Sequence, residues 1–274
     1  MTPTPDAMSP VSRTALPVVL VRAHESTRPE PLFTDPYAAR FAEAAGLPAE
    51  LPERARREGL AAALAVHIVL RTRYYDDRLL AAGTEQVVLL AAGLDARAYR
   101  LDWPGGTRLW ELDLPPVLEF KEQVLDAADA VPSCRREVLP GDLLDPGWPR
   151  RLVAAGFDPQ LPTAWLAEGL LVYLSAEQAA GLLTAVGSLS APGSRLLMER
   201  GRDVSRGPED PALAHVTELW QGGLGPETDQ WLNAHGWQAR TTSLAEVGVA
   251  YGRPLPEGAG RTSGFIEAVR TAEG

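Results

Sequence analysis

The sequence predicts an α/β protein organised around a mostly parallel sheet, and three observations carry that reading. Val87 to Leu90 is a short, wholly apolar run bounded by Gly83 and Gly93, the pattern of a strand covered on both faces. Further runs of strand length alternate with segments of helical periodicity, as in parallel strands joined by right-handed crossovers. The chain has 274 residues, 45% hydrophobic and 23% charged, which suits a soluble globular protein with a sizeable core.

The elements follow in order. Met1 to Ser12, with Pro3, Pro5 and Pro10, reads as a disordered tail. Residues 13–82 carry helical signals and form an N-terminal cover. Asp35-Pro36 is a cap followed by proline at the first helical position, and Leu60 to Ala82 stops at Gly83. From residue 83 to 274 the chain reads as one α/β domain. Its second strand is Thr107 to Leu112. A helix opens at Pro115-Pro116, with Leu114, Val117, Leu118, Val124 and Leu125 on one face. Glu137 to Leu139, Ala164 to Ala167 and Arg195 to Met198 are the next strands. Ser175 with Gln178 and Ser243 with Glu246 are capping boxes. An irregular insertion spans about 201–225; Pro226 then starts a helix ending at Gly236. Gln238 to Thr242 and Phe265 to Val269 complete the strand list.

Composition narrows the function. The formal net charge of -10 argues against a phosphate-backbone partner, which needs a basic face. Cys134 is the only cysteine, and the four histidines are far apart, so neither a disulfide nor a metal site is expected. The start MTPTPDAMSP lacks the layout of a secretion signal. No apolar run approaches the roughly 20 residues that span a bilayer. The expectation is a cytoplasmic protein with no nucleic-acid or membrane partner, acting on a small molecule.

In open α/β sheets, ligands sit beyond the carboxyl ends of the strands. After the first strand comes Ala91-Ala92-Gly93-Leu94-Asp95, small residues that let backbone approach a ligand; Asp95 reads as the cap of the next helix. After the second comes Asp113, about 20 residues beyond the turn, where ribose hydroxyls are gripped; the alternative is a cap for the Pro115 helix. After the third, Asp142-Leu143 suits an adenine edge, or a solvated turn before Pro146. After the fourth, Glu168 stands among Trp165, Leu166, Leu170 and Leu171, facing a cation or pairing with an arginine. The turn has no G-x-G-x-x-G, so a pyrophosphate is not provided for. Acids at three strand ends suit a positively charged nucleoside ligand, and S-adenosylmethionine fits.

These motifs, in order, are SRTALPVVLVRAHESTRPEPLFTDPYA, LRTRYYDD, VVLLAAGLDARAYRL, WELDLPPVLEFK, GDLL, AWLAEGLLVYLSAEQ and YGRPLP. In them the chain resembles the leucine carboxyl methyltransferase-like family of S-adenosylmethionine-dependent methyltransferases, in its bacterial branch linked to secondary metabolism. The resemblance covers nearly everything after Ser12. It implies a Rossmann-like class I methyltransferase fold: a mostly parallel seven-stranded sheet, helices on both faces, and the helical cover. It also implies cofactor contacts from Arg71 (methionine carboxylate), Ala91 to Gly93 (methionine loop), Asp113 (ribose), Asp142 and Leu143 (adenine) and Glu168. The family loop is glycine-alanine-glycine, and here Ala91 replaces the first glycine. At positive φ its methyl would crowd the cofactor; at negative φ the change is mild.

The expected activity is methyl transfer to an oxygen of a small acceptor, a carboxylate of a secondary metabolite or its precursor. Arg22 and Arg28 are candidates to orient that carboxylate. A hydroxyl acceptor would need a base; His24 and Tyr173 are candidates without an assigned catalytic role. Other readings stay open: a nicotinamide dehydrogenase, a cofactor-binding protein without methyl transfer, or a sulfonium-dependent cyclisation.

Overall fold

The computed structural model describes residues 7–48, 50, 60–201, 214–257, 259–261 and 263–272. The helical cover contributes α1 (Pro10–Arg13), α2 (Ala15–Ser26), α3 (Ala38–Ala44) and α4 (Leu60–Ala81). Then follow β1 (Gln86–Leu90), α5 (Arg97–Arg100), β2 (Arg108–Asp113), α6 (Pro115–Ala127), β3 (Arg135–Pro140), α7 (Trp148–Ala154) and β4 (Thr163–Ala167). The chain continues through α8 (Ala176–Ser188), β5 (Arg195–Glu199), α9 (Ala214–Thr217), α10 (Thr228–Ala234), β6 (Trp237–Ser243), α11 (Leu244–Ala250) and β7 (Gly264–Arg270).

The seven strands form one sheet in the order β3-β2-β1-β4-β5-β7-β6. Strands β1 to β5 are mutually parallel, and β7 runs antiparallel to both β5 and β6. The order reverses between β1 and β4. That leaves a crevice at their carboxyl ends, because the chain departs to opposite sides of the sheet from these neighbours.

Both central strands are buried throughout. Alternation sends Val88, Leu90, Trp110, Leu112, Trp165, Ala167, Leu196 and Met198 to one face, where they pack against α7 and α8. Val87, Leu89, Leu109, Ala164, Leu166 and Leu197 face the other way, towards Leu70, Tyr74 and Leu79 of α4 and Leu244 and Val247 of α11. A third cluster joins the cover to α6 through Val19, Phe41, Val117, Phe120 and Val124.

Several expectations are refined. Residues 7–12 are not a free tail: Met8 is buried and Ser9 caps α1 by accepting from the Ser12 N–H. Proline there starts a helix, which composition alone reads as disorder; residues 1–6 lie outside the described set. Asp35 accepts from the N–H groups of Tyr37 and Ala38, so α3 begins two residues after the expected proline start. Most of the expected insertion, 202–213, also lies outside the described residues. Both capping boxes form as read.

Candidate functional site

The segments after β1, β2, β3 and β4 converge on one cavity of about 390 Å³. Arg71, Ala91, Gly93, Asp113, Asp142, Leu143 and Glu168 all line it. The cover closes one side through Ser9, Ser12, Val18 and Arg22.

The turn after β1 is shaped by two residues in the left-handed region, Ala91 at φ 52° and Gly93 at φ 50°. This swings the Gly93 N–H onto Asp113 Oδ2 at 2.6 Å, while the Leu114 N–H reaches Oδ1 at 2.6 Å. Asp113 is therefore not the cap of α6; Leu114 holds that position without a side-chain bond. Each Asp113 oxygen keeps a second lone pair, which suits a pair of hydroxyls. Burial pushes its pKa up, resisted by the two N–H groups and by the positive charge of Lys121. Asp142 is exposed and accepts from the Leu144 N–H at 2.8 Å, the local turn of an Asx residue.

Asp95 is not the expected cap. Ala96 occupies the cap of α5 with no side-chain bond, while Asp95 accepts from the Arg97 N–H at 2.7 Å and pairs with the Arg97 guanidinium. Burial opposes the Asp95 charge, yet Arg97 outweighs it and lowers the pKa.

Glu168 is the centre of an ion-pair cluster. Its Oε1 receives Arg22 Nη2 at 2.6 Å and its Oε2 receives Arg97 Nη1 at 2.7 Å. Arg71 Nε lies 3.0 Å from Oε1, but without hydrogen-bond alignment, so this buried donor keeps no partner. Arg71 Nη1 instead donates to Glu199 Oε1 at 2.7 Å, and the Gly169 N–H donates to both Glu199 oxygens at 2.9 and 3.0 Å. Gly169, at φ 64°, allows this approach, since a Cβ there would lie 3.3 Å from Arg71 Nη1. Asp76 ties in Arg97 and Arg100, each at 2.7 Å. Burial penalises the Glu168 charge, but Arg97, Arg22 and Arg71 overcome it and hold the carboxyl well below its usual range. Glu199 moves the opposite way: burial raises it, helped by Glu168 and resisted by Arg71. Two carboxylates sharing one guanidinium are thus pushed apart in acidity.

The fold and the site can now be set against known proteins. The leucine carboxyl methyltransferase family model matches residues 15–187. A Parafrankia protein provisionally named an S-adenosyl-L-methionine-dependent methyltransferase is 46% identical over 271 residues, covering 95% of this chain and 87% of that protein. A Frankia alni protein with the same provisional description is 45% identical over 281 residues, 96% of each chain. The chain belongs to the leucine carboxyl methyltransferase family. The crystal structure of a DUF574 family protein from Streptomyces avermitilis superposes with a TM-score of 0.58 at 15% identity, covering 92% of this chain and 96% of that one, a likeness of fold.

Within this family member the remaining candidates separate. Tyr173 lines the cavity. Arg28 does not; it is half-exposed and lies 3.6 Å from Glu25. His24 is exposed on α2 and lies outside the cavity lining. Arg22 does reach the cavity, but as a partner of Glu168 and Thr72. Sequence reasoning missed Arg97 and Glu199. Arg97, a fully buried arginine two residues after Asp95, had a faint signal, the arginine-rich run after an apolar turn; Glu199 had none beyond ending a strand.

Proposed function

We propose that this chain transfers a methyl group from S-adenosylmethionine to an oxygen of a small acceptor, a carboxylate of a secondary metabolite or its precursor. S-adenosylmethionine is the methyl donor; when bound it supplies an electrophilic methyl on a sulfonium. The observation that supports the reading is the convergence of Asp113, Asp142, Arg71 and the 91–93 turn on one cavity at the switch point of the sheet. A volume of about 390 Å³ falls within the range of small-molecule sites. Asp113 offers lone pairs for ribose hydroxyls, and Asp142 and Leu143, which line the same cavity, are assigned to the adenine edge. Arg71 lines the cavity, and its guanidinium is a group that suits a carboxylate.

The bases at hand support an acceptor that is already ionised, although Tyr173 lines the cavity. Among the described residues, no histidine lines the cavity. Glu168 is saturated by guanidinium groups and held ionised at a depressed pKa, a poor base. An acceptor that arrives already ionised needs no deprotonation. It needs only orientation and a dry site in which opposite charges cancel. Of the two arginines considered for that orientation, Arg22 is the one that lines the cavity.

The test is methyl transfer from isotopically labelled donor to a panel of small carboxylic acids and matched phenols. The reading predicts labelled methyl esters. Label only in phenol ethers would overturn the carboxylate class. Donor bound with no label transferred to either set would favour a binding protein, and a mass change without label incorporation would favour a cyclisation.

A further inference from the structure

The chain contains 26 lysines and arginines, and only Lys121 is a lysine. It is also fully buried, in the middle of α6. Its Nζ donates to Glu111 Oε2 at 2.6 Å, and Glu111 is itself fully buried on β2. A buried pair of this kind is weak evidence for stability, because desolvating both ions offsets their attraction and an apolar pair often serves as well. Glu111 does not depend on Lys121 for a counter-charge. Arg136 Nη2 sits on the same oxygen at 2.7 Å.

Asp113 is differently placed. It lies two residues after Glu111, so both side chains leave β2 on the same face, beneath α6. Its hydrogen bonds come from two backbone N–H groups, and among the described residues it forms no ion pair. We propose that Lys121 is a positioning residue of the nucleoside site: its ammonium, held on Glu111 two residues before Asp113 on the same face of β2, supplies the positive charge that favours the Asp113 carboxylate offered to the ribose hydroxyls. This rests on the reading of Asp113 given above. The charged groups acting on Asp113 are Lys121 on α6 and Glu111 on β2, while Asp95 on the turn after β1 and Asp142 on the turn after β3 line the same cavity. The positive charge of Lys121 acts on Asp113 and on Asp95 alike, favouring their ionised forms.

The experiment is calorimetric titration of S-adenosylhomocysteine into the full chain and into four variants: K121M, D113N, K121M/D113N and E111Q/K121M. Lys121→Met is expected to weaken binding by about threefold, less than a direct charge-assisted contact would cost because the ammonium acts on Asp113 without touching it. Its affinity falls away on acidification at a higher pH than that of the unsubstituted protein. Asp113→Asn weakens binding too, and adding K121M to it brings no further loss. The E111Q/K121M variant, which removes both charges of the buried pair and guards against misfolding, stays weak. Equal loss from K121M in the presence and absence of Asp113, or full recovery in E111Q/K121M, would overturn the proposal and leave Lys121 a partner of Glu111 alone. If D113N binds like the unsubstituted protein, the nucleoside-site reading itself fails, a result distinct from the others.

Discussion

Ala91 shows how one dihedral decides a question the residue type leaves open. At φ 52° it occupies a region that costs an ordinary L-residue roughly 1–2 kcal/mol, while glycine enters freely. Ala91 therefore sits on the cavity wall under backbone strain. Ala91→Gly should raise the unfolding free energy by about 0.5–1 kcal/mol, the strain relieved less the greater freedom of unfolded glycine. Denaturant melts of the two proteins measure this; a less stable glycine variant would show that the turn is held without strain. The residues at the strand ends were legible in the sequence because a carboxylate after an apolar run is visible locally. Their partners were not. That Asp113 would take the Gly93 N–H, or Glu168 the Arg22 and Arg97 side chains, depends on chain segments 20, 146 and 71 residues apart.

At the scale of elements, the Glu168 cluster is the joint between cover and sheet. Arg22 comes from α2, Arg71 from α4 and Arg97 from α5, and all meet an acid at the end of β4. Glu168→Gln leaves these buried guanidinium groups short of a counter-charge, which costs about 3–5 kcal/mol. Urea unfolding should show that loss, and amide exchange should speed up over 15–26 first; a change under 1 kcal/mol would remove the cluster's role as a joint. The pH signature has a definite sign. Because the folded pKa of Glu168 is depressed, its contribution is present above the ordinary glutamate range and is lost as pH falls below it. Glu199, with a raised pKa, contributes in the opposite sense: stability drops as pH rises from the ordinary range through its elevated value. The unsubstituted protein should thus lose stability on acidification more steeply than Glu168→Gln. Parallel pH profiles would refute that assignment. Element starts were legible where cap chemistry is local, as at Ser175 and Ser243. They were misjudged at Asp35 and Asp95, where the carboxylate binds backbone N–H groups just outside the helix cap position.

At the scale of the molecule, seven strands and their alternation with helices could be read from periodicity, but strand direction could not. Phe265 to Val269 is apolar in the same way as a parallel strand. Its antiparallel run between β5 and β6 is set by pairing with Arg195–Glu199 and Trp237–Ser243. The C-terminal YGRPLP segment also gains a place. Tyr251 donates to Asp77 on α4, and Arg253 donates to the Glu30 carbonyl of the cover, so the last third of the chain braces the first. One binding event should therefore stabilise the whole assembly. At a hundredfold excess over Kd, S-adenosylhomocysteine should add about 2.7 kcal/mol, which for a chain of this size raises Tm by roughly 5–10 °C. NADH should leave Tm unchanged, since the turn after β1 lacks the glycine spacing a pyrophosphate needs. A shift with NADH and none with S-adenosylhomocysteine would favour the dehydrogenase reading.

The most direct test of the central claim, that acids along the rim of the sheet hold the nucleoside of the methyl donor, is calorimetric titration of S-adenosylhomocysteine into the intact chain and into Asp113→Ala. The account predicts a single site in the first and a loss of about 1–3 kcal/mol in the second, with the fold unchanged by circular dichroism. Equal affinity in the two proteins would contradict it.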